Sequence, residues 1–541
     1  MIFELPASLY QNYSLYIKLL ELYNENPFRI KNFERAEDLI KKIGNIETWQ
    51  EFKTLCIQHQ YSDSLIAKLE EFYHKGTCSE LESLLQKTPK GILSLLKIRG
   101  IGPKKIKTLW DKLAIENADM LYQACIENKL VAIKGFGKTT QENIKDRIAF
   151  YQKNRKKVLL NKGLQIAELI QSKLKEQFPT IETWLAGDLA LNLDVIENIK
   201  IISSISNNLI EDWLCQHNIN IISKHENSFS CEIVPYQIML FFYEKEVDVN
   251  KQIFNVSASA EFIQQFKEAN LNIEDCPLPK ADQIYYISLI KENKLTPPIH
   301  FKDIKGLIHC HSNWSDGVFS IEDMATYCIQ IGFEYMLLTD HSQSAVYANG
   351  LSIDRVYQQH LLIDQLNKKY APFKIFKGIE ADILIDGRLD YEDDILRLFD
   401  GVVASVHNQL ELDQHISTER VLKALSNKYT KFLGHSCGRL LLERKGFSLQ
   451  YDKIFSYCSQ HQIAIEINAN PKRLDLDWRL VNQALEQGVQ LSINPDAHSI
   501  EGIMDIKYGL LIAEKTRLTK QNNISSFNLV QFEQWLKEPI I

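Results

Sequence analysis

The stretch GLIHCHSNWSDG, Gly306 to Gly317, decides how the chain is read. An apolar run of β type enters it and ends at His309-Cys310-His311. Residues two apart on an extended chain point to one side, so both imidazoles can face a single point. Asp316 follows five residues after His311, in a segment that reads as a loop. Nitrogen and oxygen donors of this kind suit divalent metals. A histidine pair alone is more often a surface or capping feature, so the weight falls on what the rest of the chain supplies.

From Lys305 onward strand and helix patterns alternate, which predicts a parallel β/α arrangement. Seven apolar strands are expected: Gly306–His309, Tyr335–Leu338, Lys374–Phe376, Gly401–Ser405, Lys431–Leu433, Ile463–Ile467 and Gln490–Ile493. Six of them run into ligand-type residues: His309 and His311, Asp340-His341, Glu380, His407, His435, and Asp496-Ala497-His498. The remaining one ends in Glu466 and Asn468. In a barrel of parallel strands the C-terminal ends meet at one face, so these residues converge. Six of the chain's 14 histidines fall at these ends, which chance placement would not produce. His360, His415 and His461 lie in predicted helices or loops and are set aside as surface residues.

Upstream the pattern is helical. Apolar residues recur at three- and four-residue spacing in Tyr10–Tyr23, Phe33–Ile43 and Leu65–Tyr73. In NPFRIKNFERA, Asn26 to Ala36, Asn-Pro opens a helix bearing Arg29, Lys31 and Arg35, which reads as a solvated basic face. LLKIRGIGPKKIKTLW, Leu95 to Trp110, and VAIKGFGKTTQENI, Val131 to Ile144, carry Gly100-Ile101-Gly102 and Gly135-Phe136-Gly137 turns 35 residues apart. Each turn starts a helix whose amide N–H groups form a ready anion site. Lys104, Lys105, Lys107 and Lys138 add positive charge. This is the helix-hairpin-helix pattern, which holds DNA backbone phosphates without reading sequence. Residues 160–300 predict a mixed α+β domain with strands at Trp184–Leu191, Ile196–Ile205, Phe229–Val234 and Ile238–Tyr243, and a helix at Ala260–Ala269. A short helix and linker follow over Ala281–Pro298.

A chain of 541 residues exceeds one core and implies several domains. A net charge of −7 excludes a uniformly basic nucleic-acid binder but leaves local patches open. Ten scattered cysteines without a CxxC pair point to a reducing compartment. With no signal peptide and no membrane-length apolar run, a cytoplasmic, nucleoid-associated protein is expected.

The motifs TDHS (Thr339–Ser342), GIEADIL (Gly378–Leu384), DGRLD (Asp386–Asp390), ASVH (Ala404–His407), GHSCGRL (Gly434–Leu440), EINANPKRLDL (Glu466–Leu476) and DAHS (Asp496–Ser499) resemble the PHP (polymerase and histidinol phosphatase) domain. The whole chain resembles a bacterial family X DNA polymerase fused to a C-terminal PHP domain. The resemblance implies a helical lyase-like domain over 1–80 and a helix-hairpin-helix region over 81–155. It implies a degenerate nucleotidyltransferase-like palm, thumb and linker over 156–300, and a distorted (β/α)7 PHP barrel over 301–541. It carries nine ligands onto His309, His311, Asp316, His341, Glu380, His407, His435, Asp496 and His498. These would hold three cations of zinc, manganese or iron. His309, His311, Glu380 and Asp496 would hold the first. Glu380 would bridge to a second with His407 and His435, and Asp316, His341 and His498 would hold the third.

The palm departs from the family. In GDLALNLDVIENIKI, Gly187 to Ile201, the serine position is Asp188 and the arginine pair is Ala190-Leu191. The metal-binding aspartate positions hold Asn198, Lys200 and Ser230, and the thumb-side turn is lost around Ile253–Ser257. Two-metal nucleotidyl transfer needs clustered carboxylates, so polymerisation is expected to be absent. Lys68 matches the lyase lysine by position, but QHQYS (Gln58–Ser62) replaces the glycine-rich hairpin before it, and a helix-surface lysine is expected.

The implied function is a metal-dependent phosphoesterase on DNA ends, a 3′–5′ exonuclease or 3′-end-processing enzyme in repair, binding DNA as a monomer. Glu380, His309, His311 and Asp496 would form its catalytic centre, with Arg388, Arg439 and Arg473 as candidate phosphate clamps. Alternatives are a small-molecule phosphatase of histidinol-phosphate type and a non-catalytic DNA-end scaffold.

Overall fold

The computed structural model describes residues 9–43, 48–98, 100–233, 236, 238–273, 284–291 and 297–538. Two compact units emerge. One runs from Lys157 onward except Leu442–Arg444, which group with the other, formed by residues up to Lys156. Among the described residues no helix is long and apolar enough to cross a membrane.

The helical unit has one core from Tyr13 to Ile148, continuous across the boundary expected after residue 80. Aromatic rings anchor it, with Tyr13 edge-on to Phe72 at 5.1 Å and Tyr16 to Phe33 at 5.2 Å. Arg29 pairs with Glu80 at 2.6 Å, so it is a structural ion pair and not a free basic face. Lys68 lies on helix Asp63–Lys75 and pairs with Glu71 at 3.2 Å. In the two hairpins the residue between the glycines is the plug: Ile101 and Phe136 are both 3% exposed. Gly100 and Gly135 have φ of 83° and 94°, a backbone that disfavours side chains. Gly102 and Gly137 cap helices Pro103–Leu113 and Lys138–Asn154 without a side-chain acceptor. Their first N–H groups therefore lack a side-chain capping partner.

In the second unit Val158–Leu159 (β1) pairs with Val195–Ile196 (β3). A five-stranded mixed sheet holds Thr183–Ala186 (β2), Asn198–Ser203 (β4), Ile221–His225 (β5), Ser228–Ile233 (β6) and Ile238–Glu244 (β7), ordered β2-β4-β7-β6-β5. The expected Trp184–Leu191 strand stops at Ala186, because Gly187 turns the chain at φ 63°. Ile196–Ile205 is split in two, and β5 was not foreseen. The residues around Ile253–Ser257 are helical, Val249–Ser257. Val234 and much of the Ala281–Pro298 linker lie outside the described residues; helix Ile284–Lys291 falls within them.

The barrel follows with Gly306–Ile308 (β8), Tyr335–Leu338 (β9), Lys374–Asp382 (β10), Gly401–Ser405 (β11), Thr430–Leu433 (β12), Ala464–Asn468 (β13) and Leu491–Asn494 (β14). All neighbours are parallel and in chain order. A Cys310–Ala497 bridge laces β8 to β14 and nearly closes the ring. The other end is plugged by helix Leu529–Lys537, whose Phe532 stacks on Tyr335 at 4.3 Å beside Phe376, Phe432 and Trp535. With one mouth filled by aromatic side chains, the polar residues gather at the opposite, C-terminal ends of the strands.

Candidate metal centre at the barrel mouth

Seven of the nine expected ligands follow strands directly or within a short loop, Glu380 lies inside β10, and Asp316 comes from the loop after His311. The third barrel strand runs on past Phe376 to Asp382, so Glu380 is held by pairing with Val403. His309 and Asp496 take left-handed backbone, φ 61° and 52°. That conformation costs a non-glycine residue about 1–2 kcal/mol and is held here by the lacing around Cys310 and Ala497, where His311 N–H donates to Ala497 O at 2.8 Å.

The donors converge on Glu380. Its Oε1 lies 3.0 Å from His435 Nε2, 3.3 Å from His407 Nε2 and 3.3 Å from His309 Nε2. Its Oε2 lies 3.0 Å from His341 Nδ1 and 3.6 Å from His311 Nε2. Asp496 Oδ1 is 3.1 Å from His311 Nε2 and 3.6 Å from His309 Nε2. Asp316 Oδ1 is 3.6 Å from His341 Nε2 and 3.4 Å from His498 Nε2. Three donor groups meet metal-ligand spacing: His311, Asp316, His341 and His498; His309, His311 and Asp496; His341, Glu380 and His407.

These atoms fit divalent cations better than they fit one another. Both Glu380 oxygens, His309 Nε2, His341 Nδ1 and His435 Nδ1 are buried without a hydrogen bond. Each such orphan costs about 1–3 kcal/mol, so a cluster of them marks a ligand's place. Two donors bound about 2.1 Å from one tetrahedral ion stand about 3.4 Å apart, which is the spacing seen. Burial opposes ionisation of Glu380, but His407, His309 and His341 hold it well below the usual carboxylate range. Burial alone would lower His407, yet Glu380 and Asp382 push it up to about 10. The cluster is thus a sink for positive charge. It opens to solvent at Asp316 and His498, whose side chains are 34% and 39% exposed.

Sequence reading missed the residues behind the ligands. Glu466 receives His309 Nδ1 at 2.5 Å, and Asp382 receives His407 Nδ1 at 2.5 Å. Such carboxylate–histidine pairs fix the ring and leave Nε2 for the cation. Asp382 is two residues from Glu380 on the same strand face, which was the available signal. Asp340 accepts from Ser312, Ser315 and Gln359 and holds the loop that carries Asp316.

The arginines divide. Arg473 Nε lies 3.5 Å from Asp496 Oδ2, beside the cluster. Arg388 is an exposed residue engaged with Asp386 at 2.7 Å and Glu392 at 3.3 Å. Arg439 is half-buried and donates to Asp477, Asp194 and the carbonyls of Arg473 and Leu474. Arg439 thus has its N–H groups engaged by carboxylates and carbonyls, Arg388 lies exposed in a local ion-pair cluster, and Arg473 is the one of the three seen beside the donor cluster.

In the five-stranded sheet Lys200 and Ser230 flank Phe241 on one rung, with Asn198 two residues from Lys200 on the same face. Lys200 Nζ donates to Val256 O at 2.8 Å and Ser230 shares a bond with Ser223 at 2.7 Å. Asp188 accepts from the N–H groups of Glu197 and Asn198, and Glu197 pairs with Lys157. Among the described residues the acid and histidine groups able to hold a cation all lie at the barrel mouth. Lys104, Lys105 and Lys138 are exposed at the hairpin helix starts, while Lys107 pairs with Asp111.

Family models match the SAM-like helix-hairpin-helix tandem over residues 92–149 and the PHP domain over residues 308–498. The chain is 31% identical to the DNA polymerase/3′-5′ exonuclease PolX of Bacillus subtilis, over 96% of this chain and 97% of that protein. It is 24% identical to a "probable phosphatase" of Caldicellulosiruptor bescii, over 35% of this chain and 78% of that protein. A solved histidinol phosphate phosphatase from Lactococcus lactis aligns with 39% of this chain and 94% of its own, at 18% identity and a TM-score of 0.29.

Proposed function

The chain belongs to the PolX family of bacterial DNA polymerase/3′-5′ exonucleases, and on that premise we propose that it is a metal-dependent phosphoesterase that trims DNA 3′ ends without polymerising nucleotides. The observation that carries this reading is the contrast between its two halves. Eight donor side chains cluster at the barrel mouth with His435 against Glu380, while the palm positions hold Asn198, Lys200 and Ser230.

His309, His311, Glu380 and Asp496 would hold one cation, Glu380 with His407 and His435 a second, and Asp316, His341 and His498 a third. Such cations supply Lewis-acid stabilisation of a phosphate and a water nucleophile at neutral pH. Glu466 and Asp382 keep the rings of His309 and His407 aimed. Arg473, with its guanidinium beside Asp496, would bind a phosphate oxygen. In the helical unit the backbone N–H groups after Gly102 and Gly137, with Lys104, Lys105 and Lys138, would hold DNA phosphates irrespective of sequence. The pairing of Lys68 with Glu71 favours a structural lysine over Schiff-base chemistry.

The test is a 5′-labelled primer–template incubated with Mn²⁺, with and without dNTPs, beside His309→Ala. Shortening by the wild type that is lost in the variant is expected. Extension with dNTPs would remove the claim of a silent palm, and an inert wild type would remove the nuclease.

A further inference from the structure

We propose that Asp194, a residue of the palm-like domain, is a positioning residue for the phosphate-binding loop of the barrel. It acts through Arg439, which fixes the loop that carries Arg473. The inference rests on the phosphoesterase reading above and gives the palm-like domain a present role as a brace.

Asp194 lies just before β3 and is 7% exposed. A buried carboxylate needs partners that offset its lost hydration. Its partners come from the barrel: Arg439 Nη2 at 3.0 Å and Lys515 Nζ at 3.2 Å. The Lys515 side chain is itself fully buried. A second tie runs alongside, from Asn192 Nδ2 to Glu514 at 3.1 Å. Asp194 is in turn held by its own domain, because its carbonyl accepts from Leu160 N–H at 3.2 Å.

Arg439 carries that anchor into the site. Its Nε donates to Arg473 O at 2.8 Å, Nη1 to Asp477, and Nη2 to Leu474 O as well as to Asp194. One guanidinium therefore sets the backbone on which Arg473 is mounted. The Arg473 side chain reaches the other way, to 3.5 Å from Asp496. The segment after His435 is stitched to the same loop, since Cys437 N–H donates to Asp475 Oδ2 at 3.1 Å and Ser436 Oγ to Asp475 Oδ1 at 3.3 Å. Asp194 thus stands two contacts from the phosphate-side arginine. Without its charge, Arg439 keeps Asp477 as its carboxylate partner and is drawn toward it, moving both carbonyls that it holds.

Phosphate affinity reads this directly. The full-length protein, loaded with Mn²⁺, is titrated with inorganic phosphate, and hydrolysis of bis(p-nitrophenyl) phosphate is followed with phosphate as inhibitor. Asp194→Asn is expected to weaken phosphate and raise KM about tenfold, with bound manganese unchanged. Asp194→Glu, which keeps the charge, is expected to recover most of the loss. In an Arg473→Ala background Asp194→Asn should add nothing, because both act through one group. Wild-type phosphate affinity in Asp194→Asn overturns the inference, as does an effect that multiplies with Arg473→Ala. If Asp194→Asn does not fold, Arg439→Lys serves: it keeps a cation but loses the two carbonyl bonds. Unchanged phosphate binding there is equally fatal. A wild type that binds phosphate yet cleaves no ester fails the functional reading alone, while one that binds no phosphate sinks both.

Discussion

Asp382 accepts a hydrogen bond from His407 Nδ1 while the same ring turns Nε2 toward Glu380, so a residue that need not touch a cation decides where a donor points. Replacing it by asparagine keeps the shape and removes the charge that favours the Nε2 lone pair. Asp382→Asn is expected to weaken metal binding by about 10- to 100-fold, read as manganese retained after dialysis. Retention at the wild-type level would mean that Asp382 only fills space. A different carboxylate, Asp505, has no compensating partner of this kind among the described residues. Burial pushes it up to about 7, with Lys507 only partly opposing. The native state then binds its proton where the unfolded chain has released it. Stability therefore falls as pH rises from about 4 to about 7 and stays lower above that window. Asp505→Asn is expected to be neutral near pH 4 and to stabilise by about 2 kcal/mol at pH 8, after discount for partial exposure. Thermal melts at the two pH values check it, and a gain of equal size at both would contradict the assignment.

The helix-hairpin-helix element makes a claim that single residues do not. Gly135 has φ 94°, whereas Gly137 has φ −69° and would place a methyl group in open space. Gly135→Ala should therefore cost about 1–2 kcal/mol through backbone strain alone. Gly137→Ala should leave the melting temperature unchanged and still weaken duplex binding, about tenfold, because the methyl stands where a phosphate oxygen approaches the helix start. Unchanged duplex affinity in Gly137→Ala would show that DNA does not bind there. At this scale the sequence was most readable where burial is two-sided. All seven expected barrel strands form, each built on a mostly apolar run that overlaps the expected stretch, although β10 continues well past it. Lys377-Gly378 hid the continuation of β10, because a charge and a glycine imitate a strand end. The edge strand β5, IISKH, has no fully buried residue and gave no pattern to find. The partner of Arg439 was missed for a different reason: Asp194 is 245 residues away in sequence, and local motif reading cannot see a tertiary partner.

At the scale of the whole chain the two proposed activities rest on different physics. Ester cleavage depends on cations held by nitrogen and oxygen donors at the barrel mouth. Duplex binding depends on phosphates neutralised by hairpin backbone and lysines, and so on the release of counterions. The two should be separable by two reagents. Dialysis against a chelator is expected to abolish hydrolysis of both DNA and bis(p-nitrophenyl) phosphate while leaving duplex affinity within about twofold, because the hairpin contacts proposed to hold the duplex lie in a unit with its own core. Raising salt from about 50 to 200 mM should do the reverse. Duplex affinity should fall steeply with log salt, while cleavage of the small ester is nearly unchanged, since buried donors are screened little. Fluorescence anisotropy on a labelled duplex, run beside the colorimetric assay on one preparation, gives both curves. Parallel loss of binding on chelation would mean that the cations themselves hold the DNA, and the hairpins would then lose their proposed role. Parallel loss on salting would mean that the small ester is also drawn in by exposed charge, which would direct attention to the open side at Asp316 and His498.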